Sequence, residues 1–300
     1  MSQLTCCLIV AGVALALAAC RGSSETVRAC PPSGCHPSVG RGSTAKGASP
    51  RAAHLLDQIA SRLIGPPTKA DTPITFRDRQ YMLEITNAGS PTAYTLDRTV
   101  LFTVKVMPDS SAVEHAFVVK PLTFISRVSR RHWRAAGSPR LRVERRRSYS
   151  WTDPARDFSF IPHGVVLTYR QARELPAQPS AILQRFRKLT GVRVGDTDTA
   201  ALLLQQYGFV LAVSPISPQI RRAILRAMAR LSGIAVCGRA VLCVRGGVTR
   251  TEVALNPRNG VALIVRERLE EPAGVYPGVR IGDLVQSDRF SLVQRLPHSR

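Results

Sequence analysis

Alternating apolar and polar residues predict strands in the first half of the chain. The apolar positions are Tyr81, Leu83 and Ile85 in a first strand, Val100, Phe102, Val104 and Val106 in a second, and Val113, Phe117 and Val119 in a third. A period of two places such residues on one side of a strand. The segment 107–111, which contains Pro108, Asp109 and Ser110, predicts the turn between the second and third strands. We therefore expect a β-meander with one buried face.

Helical spacing takes over at the start and in the middle of the chain. Leu55, Leu56, Ile59 and Leu63 predict a helix over 51–64 that Gly65 ends, and further helices are expected near 129–136, 182–189, 197–212 and 217–231. The last of these carries apolar residues on one side and arginines on the other. It fits either a helix on a membrane surface or one packed on its own core with a solvated face.

Strands return after residue 233. The segments 249–255 and 261–268 flank a turn that ends in Asn259-Gly260, which predicts a hairpin, and a final strand pair is expected within 279–295. Cys237 and Cys243 flank a short turn and are predicted to form a disulfide. Helix, strands, helices and strands in this order indicate an α+β fold with an antiparallel sheet.

The amino end has the pattern of an export signal. Residues 6–19 are uncharged, a run too short to span a bilayer, and Leu17-Ala18-Ala19-Cys20 matches a lipobox. We expect residues 1–19 to be a signal peptide and Cys20 to carry the lipid. No Lys or Arg precedes the apolar run, so a plain secretory signal or a short membrane anchor stays open. The expected location is the extracytoplasmic face of the cell membrane.

Residues 20–50 are predicted to be a lipidated, flexible tether before an extracytoplasmic α+β domain over 51–300. The segment 21–50 is rich in Gly, Ser and Pro and has almost no apolar periodicity. Such a coil has an end-to-end distance of roughly 30 Å. Cys30 and Cys35 lie within it, with His36 beside them, and are expected to close a small disulfide loop, with a metal clip as the alternative.

The chain is strongly basic, with a net charge of +22 in 300 residues, and most of its positive residues are arginine. Two interpretations stay open. Arginine codons are GC-rich, so a GC-rich genome by itself favours this composition. Alternatively the charge attracts a polyanion, such as a phosphate-bearing wall polymer or an anionic lipid surface. A cluster of arginines in 140–147 is followed by Tyr149 and Trp151, and such residues can stack on nucleobases. An exported protein seldom meets nucleic acid, however, which is therefore not an expected partner.

Several segments together resemble a family of uncharacterised, membrane-anchored extracytoplasmic proteins of high-GC Gram-positive bacteria, named only by a locus tag. These segments are 52–60 with 80–82, Phe124-Ile125-Ser126 with 133–139, Glu174-Leu175-Pro176 with Pro179, and 218–233. The resemblance covers about 51–296 and implies a LolA-like fold, in which helices cross the concave face of a curved antiparallel sheet. It implies no established activity and no catalytic residues. Many members have a transmembrane helix where this chain has a lipoprotein leader.

The sequence contains no catalytic signature of a known class, neither G-x-S-x-G nor H-E-x-x-H nor a P-loop. We therefore expect no enzymatic activity, no cofactor and no metal. The leading expectation is a non-catalytic binding module of the cell envelope that holds an apolar ligand between sheet and helices. The alternatives are an envelope-sensing or signalling subunit that acts through a protein partner, and a binder of polyanions or membrane surfaces.

Overall fold

The structure is a computed structural model that describes residues 47–63, 73–86, 90–107, 109, 112–141, 146–151, 167–190, 197–214, 216–272 and 276–292. These residues form an α+β fold in which helices pack on one face of an open, curved antiparallel sheet, as the sequence predicts. None of the described helices is long and apolar enough to cross a bilayer.

The described part of the sheet has nine strands. They are β1 (Ile74–Thr86), β2 (Tyr94–Val106), β3 (Ala112–Phe124), β4 (Arg146–Trp151), β5 (Ala235–Gly238), β6 (Val241–Gly246), β7 (Thr249–Leu255), β8 (Ala262–Leu269) and β9 (Leu284–Leu292). The sheet order is β4-β3-β2-β1-β9-β8-β7-β6-β5, and every neighbouring pair is antiparallel. Two meanders, β1–β4 and β5–β8, are thus joined through β9.

The prediction of a final strand pair within 279–295 is wrong. Only one strand, β9, lies within the described part of 279–295, and it pairs with β1 on one side and β8 on the other. Residues 276–283 form a compact turn instead, closed by backbone hydrogen bonds from Val279 N to Tyr276 O and from Asp283 N to Arg280 O. The strand that sequence pattern places in a terminal hairpin is the centre of the sheet.

The structure describes six helices, and side-chain caps mark the starts of several of them. They are α1 (Pro50–Arg62), α2 (Arg127–Ala135), α3 (Tyr169–Arg173), α4 (Pro179–Thr190), α5 (Thr197–Val213) and α6 (Pro218–Met228). Ser49, Ser126 and Ser217 each accept a backbone N–H of the first helical turn. Pro50 and Pro218 stand in the first turn, where proline costs no hydrogen bond.

Helix α5 lies at the centre of the core. It packs on β6, β7 and β8 and also contacts α6. Its residues Leu203, Leu204 and Phe209 are fully buried, because a helix that is apolar on all sides needs packing partners on all sides. Gly208 allows the close approach to the sheet, since a Cβ there would lie 2.7 Å from Cγ2 of Val265.

The two faces of the sheet differ sharply. The covered face carries Val100, Phe102 and Val104 of β2, which pack with the helices. On β1 the residues of this face are Phe76, Asp78 and Gln80, all fully buried. Tyr81, Leu83 and Ile85, whose spacing predicts a shared face, do share one, but it is the opposite, outer face.

Candidate functional site

The predicted lipid-attachment residue, Cys20, and the predicted pair Cys30 and Cys35 lie outside the described residues. Cys237 and Cys243 lie at the end of β5 and within β6, their sulfur atoms are bonded, and their Cα atoms are 6.0 Å apart. Ala240, in the turn between the two strands, has a φ of +55°, which identifies a tight reversal. The disulfide therefore ties the edge strand β5 to the strand that follows it.

The covered face of the sheet over β6–β8 is occupied by α5. Leu242, Val253 and Val265 of these strands are buried against the helix layer. On its other side α5 meets α4, where Tyr207 lies edge-on to Phe186 with ring centroids 4.6 Å apart. In this region the side chains of α5 fill the space between sheet and helices, which is where an apolar ligand was expected.

A polar cluster lies on the same covered face where β1, β9 and β8 adjoin. Asp288 is fully buried and accepts hydrogen bonds from Nε2 of Gln80 at 3.1 Å and from Nε2 of Gln286 at 2.9 Å. Two amide donors offset the desolvation of the carboxylate. Asp78, also fully buried, is on the same face of β1 two positions before Gln80.

Glu267 extends this cluster to β8. Its Oε1 accepts a hydrogen bond from Nε2 of Gln205 on α5 at 3.0 Å. Burial, with the nearby charge of Asp288 as a smaller cause, raises the pKa of Glu267 from 4.5 to about 7. The arrangement couples α5 to the sheet through a carboxyl group that titrates near neutral pH.

The polar cluster offers no nucleophile paired with a base. Its groups are carboxyls and amides that bond to one another. Among the residues the structure describes, no group of three or more His, Cys, Asp or Glu side chains could hold a metal ion. The contacts of this cluster tie β1 to β9 and β8 to α5.

On the outer face of β7 and β8, arginines surround a glutamate. Glu252 is 4% exposed and meets Arg266 at 2.5 Å, Arg250 at 2.9 Å and Arg268 at 3.7 Å. Arg250 also pairs with Glu270 at 2.8 Å. Positive charge in this half of the outer face is thus partly neutralised by carboxylates.

On the outer face of β1 and β9, the arginines have no such partner. Arg79 of β1 lies directly opposite Arg289 of β9, Arg77 is two residues from Arg79 on the same face, and all three are exposed. None of them forms an ion pair with another described residue. Directly opposed like charges destabilise a sheet. We call Arg77, Arg79 and Arg289 the outer arginine cluster.

A second exposed basic surface is formed by α2. Arg127, Arg130, Arg131 and Arg134 are exposed in a helix of nine residues that contains no acidic residue. The guanidinium carbon of Arg130 lies 5.6 Å from the ring centroid of Phe124. A shallow cleft of about 240 Å³ opens beside it, lined by Phe124, Ser126, Arg127 and Arg130.

A scan against protein-family models, a search of curated proteins and a search of solved structures each found no match to this chain.

The sequence pattern assigns arginines to the helix of 217–231 and to 140–151, but it does not bring those of the outer arginine cluster together. Arg79 and Arg289 are 210 residues apart in the chain, as their numbers show, and only the pairing of β1 with β9 makes them neighbours. Of the arginines of 218–230, which one of the two sequence interpretations places on a membrane surface, Arg221, Arg222 and Arg226 belong to α6, and Arg230 lies just beyond its end. That helix packs against α1 and α4, and Nη2 of Arg222 donates to the carbonyl of Leu63 at 2.5 Å.

Proposed function

We propose that the chain is a cell-envelope lipoprotein, held at the extracytoplasmic face of the membrane by a lipid on Cys20, that acts as a non-catalytic binding module for a polyanion. The ligand class is a phosphate-bearing polymer of the envelope. The binding surface is the outer arginine cluster on β1 and β9.

The cross-strand pair of Arg79 and Arg289 carries this proposal. Two exposed arginines at a directly paired position repel each other in the unbound protein. An array of phosphates relieves this repulsion, because each guanidinium can bond a phosphate through two parallel N–H groups. The net charge of +22 attracts such a polymer from a distance.

The alternative ligand, an apolar molecule between sheet and helices, has less support. Over β6–β8, α5 occupies that space, and Leu203, Leu204 and Tyr207 are fully buried there. A ligand would have to displace a close-packed helix. No contact in the described part of the chain specifically favours a signalling partner over a polymer.

Titration of the intact, detergent-solubilised chain with soluble polyphosphate tests the proposal. The variant Arg77→Gln/Arg79→Gln/Arg289→Gln removes the cluster while it keeps side-chain length and polarity. We expect the slope of log affinity against log salt concentration to decrease by about 2–3, since each phosphate contact contributes slightly less than one.

A charge-matched variant controls for net charge. Arg230→Gln/Arg239→Gln/Arg258→Gln removes the same charge from three exposed positions outside the cluster. We expect it to keep the salt slope of the parent protein. Equal loss in both variants would show that only overall charge acts, and unchanged binding of the cluster variant would overturn the proposal.

A further inference from the structure

Helix α2 presents a stripe of positive charge on the side turned away from the protein. Arg127, Arg131 and Arg134 recur at i, i+4 and i+7 and so share one side of the helix. Ser129 is buried on the opposite side, where its Oγ lies 3.4 Å from the backbone nitrogen of Thr95 and accepts its N–H. The three arginines are exposed and pair with no carboxylate among the described residues.

The turn of residues 276–283 packs beside α2 and adds apolar surface. Oγ of Ser129 donates to the carbonyl of Pro277 at 3.1 Å, which fixes the turn against the helix. Ile281 in this turn is 61% exposed, and Val128 on α2 is 42% exposed. They are two of the four large hydrophobic residues that the described structure exposes, and Arg280 beside Ile281 is exposed as well.

Positive charge together with exposed aliphatic side chains is the chemistry of a membrane surface contact. Arginines are attracted to anionic headgroups, while Val and Ile gain by entering the apolar boundary below them. A soluble polyanion would satisfy the arginines but would leave Val128 and Ile281 in water. We propose that α2 and the 276–283 turn form a docking surface for an anionic lipid bilayer.

This inference rests on the proposed membrane anchoring, since the tether brings the surface within reach. Twenty-six residues lie between Cys20 and Gly47, the first described residue. Their Gly-, Ser- and Pro-rich composition predicts a flexible chain, which at that length spans roughly 30 Å. A tether of this reach holds the domain at an effective concentration on the order of millimolar, so weak docking is enough to set its orientation on the membrane.

Hydrogen exchange of the intact chain reconstituted in lipid vesicles tests the docking surface. With phosphatidylglycerol vesicles we expect the amides of 126–137 and 276–283 to exchange about tenfold more slowly than with phosphatidylcholine vesicles. The variant Arg127→Gln/Arg131→Gln/Arg134→Gln should lose this protection. The variant Val128→Ser/Ile281→Ser should weaken it at unchanged net charge, which a purely electrostatic contact would not show.

The controls separate this surface from the outer arginine cluster. The variant Arg77→Gln/Arg79→Gln/Arg289→Gln should keep the vesicle-dependent protection of 126–137 even where it loses polyphosphate binding. Soluble polyphosphate added without anionic lipid should leave 276–283 unprotected. Equal protection in both kinds of vesicle, or protection by polyphosphate alone, would overturn the membrane proposal without affecting the proposed polymer binding.

Discussion

The pKa of one carboxyl group of this sheet, that of Glu267, lies well above its ordinary value. Asp288 is stabilised by two amide donors, whereas Glu267 accepts one from Gln205 and lies close enough to Asp288 to feel its charge. Burial makes the ionised form of Glu267 costly, and its pKa is raised from 4.5 to about 7. The folded protein therefore holds a proton that the unfolded chain releases at lower pH.

We predict that Glu267→Gln changes the pH dependence of stability. A raised carboxyl pKa means that the folded state binds the proton more tightly, so the contribution of Glu267 to stability is greatest below pH 4.5 and decreases as pH rises to about 7. The neutral amide avoids this loss. At about pH 8 the variant should be more stable than the parent by roughly 1–2 kcal/mol, and at about pH 4 the two should be nearly equal.

Denaturant unfolding of both proteins at the two pH values measures this difference. Glu174→Gln is the matched control, because it makes the same chemical change at an exposed position. A Glu267→Gln protein that is destabilised by the same amount at both pH values would contradict the prediction. It would show that the pKa of Glu267 is the same in the folded and unfolded states.

At the scale of single residues, the sequence pattern wrongly predicts which face of β1 is buried. Tyr81, Leu83 and Ile85 are apolar and alternate, so pattern favours them as buried, yet Asp78 and Gln80 occupy the covered face. Polar residues can be buried when partners satisfy them, and the main partner of Gln80, Asp288, is 208 positions away. No pattern of neighbouring residues in the sequence indicates that Gln80 pairs with Asp288.

At the scale of helices and strands, α5 is the element at the centre of the hydrophobic core. It lies between β6–β8 and the other helices, and Gly208 sets its distance from Val253 and Val265. We predict that Gly208→Ala destabilises the protein. A methyl group there would meet Val265 Cγ2 at 2.7 Å and Val253 Cγ2 at 3.0 Å, which costs roughly 1–3 kcal/mol in a packed core.

Thermal unfolding shows whether Gly208→Ala stabilises or destabilises the protein. Helix propensity alone predicts a gain of about 1 kcal/mol for this change, so a higher unfolding temperature would contradict the packing argument. Combining the change with Val265→Ala tests the contact itself. The double variant should be more stable than the sum of the two single changes predicts, because the smaller side chain makes room for the new methyl group.

Elements with local signals are predicted well. Ser49-Pro50 and Ser217-Pro218 mark the starts of α1 and α6, and Asn259-Gly260 ends the turn between β7 and β8. Helix α3, a single turn of five residues, is not predicted from the sequence. A strand pair at 279–295 is predicted wrongly, because an isolated terminal strand has no local signal that distinguishes it from half of a hairpin.

For the whole molecule, membrane attachment depends on a single sulfur atom in our proposal. We predict that Cys20→Ala abolishes lipidation and blocks normal processing, so that the chain is released or accumulates with its leader. Two acyl chains, each contributing about 0.8 kcal/mol per buried CH₂, are sufficient for stable anchoring. Membrane fractionation and intact-mass measurement check both outcomes.

Cys7→Ala provides the comparison, since Cys7 lies inside the apolar run and outside the lipobox. It should be processed and anchored like the parent chain. If Cys20→Ala were processed normally and stayed membrane-bound, the lipid anchor would have to be rejected. The polymer-binding and bilayer-docking surfaces would then need another explanation for how the domain reaches the envelope.

The central position of β9 has a consequence for how the protein is made. Ribosomes synthesise a chain from its amino end, so β9 is the last of the described strands to emerge, yet both meanders pair with it. Until residues 284–292 exist, β1 and β8 each lack a neighbour. The nascent chain therefore cannot join its two meanders into one sheet until the last of the described strands has been made.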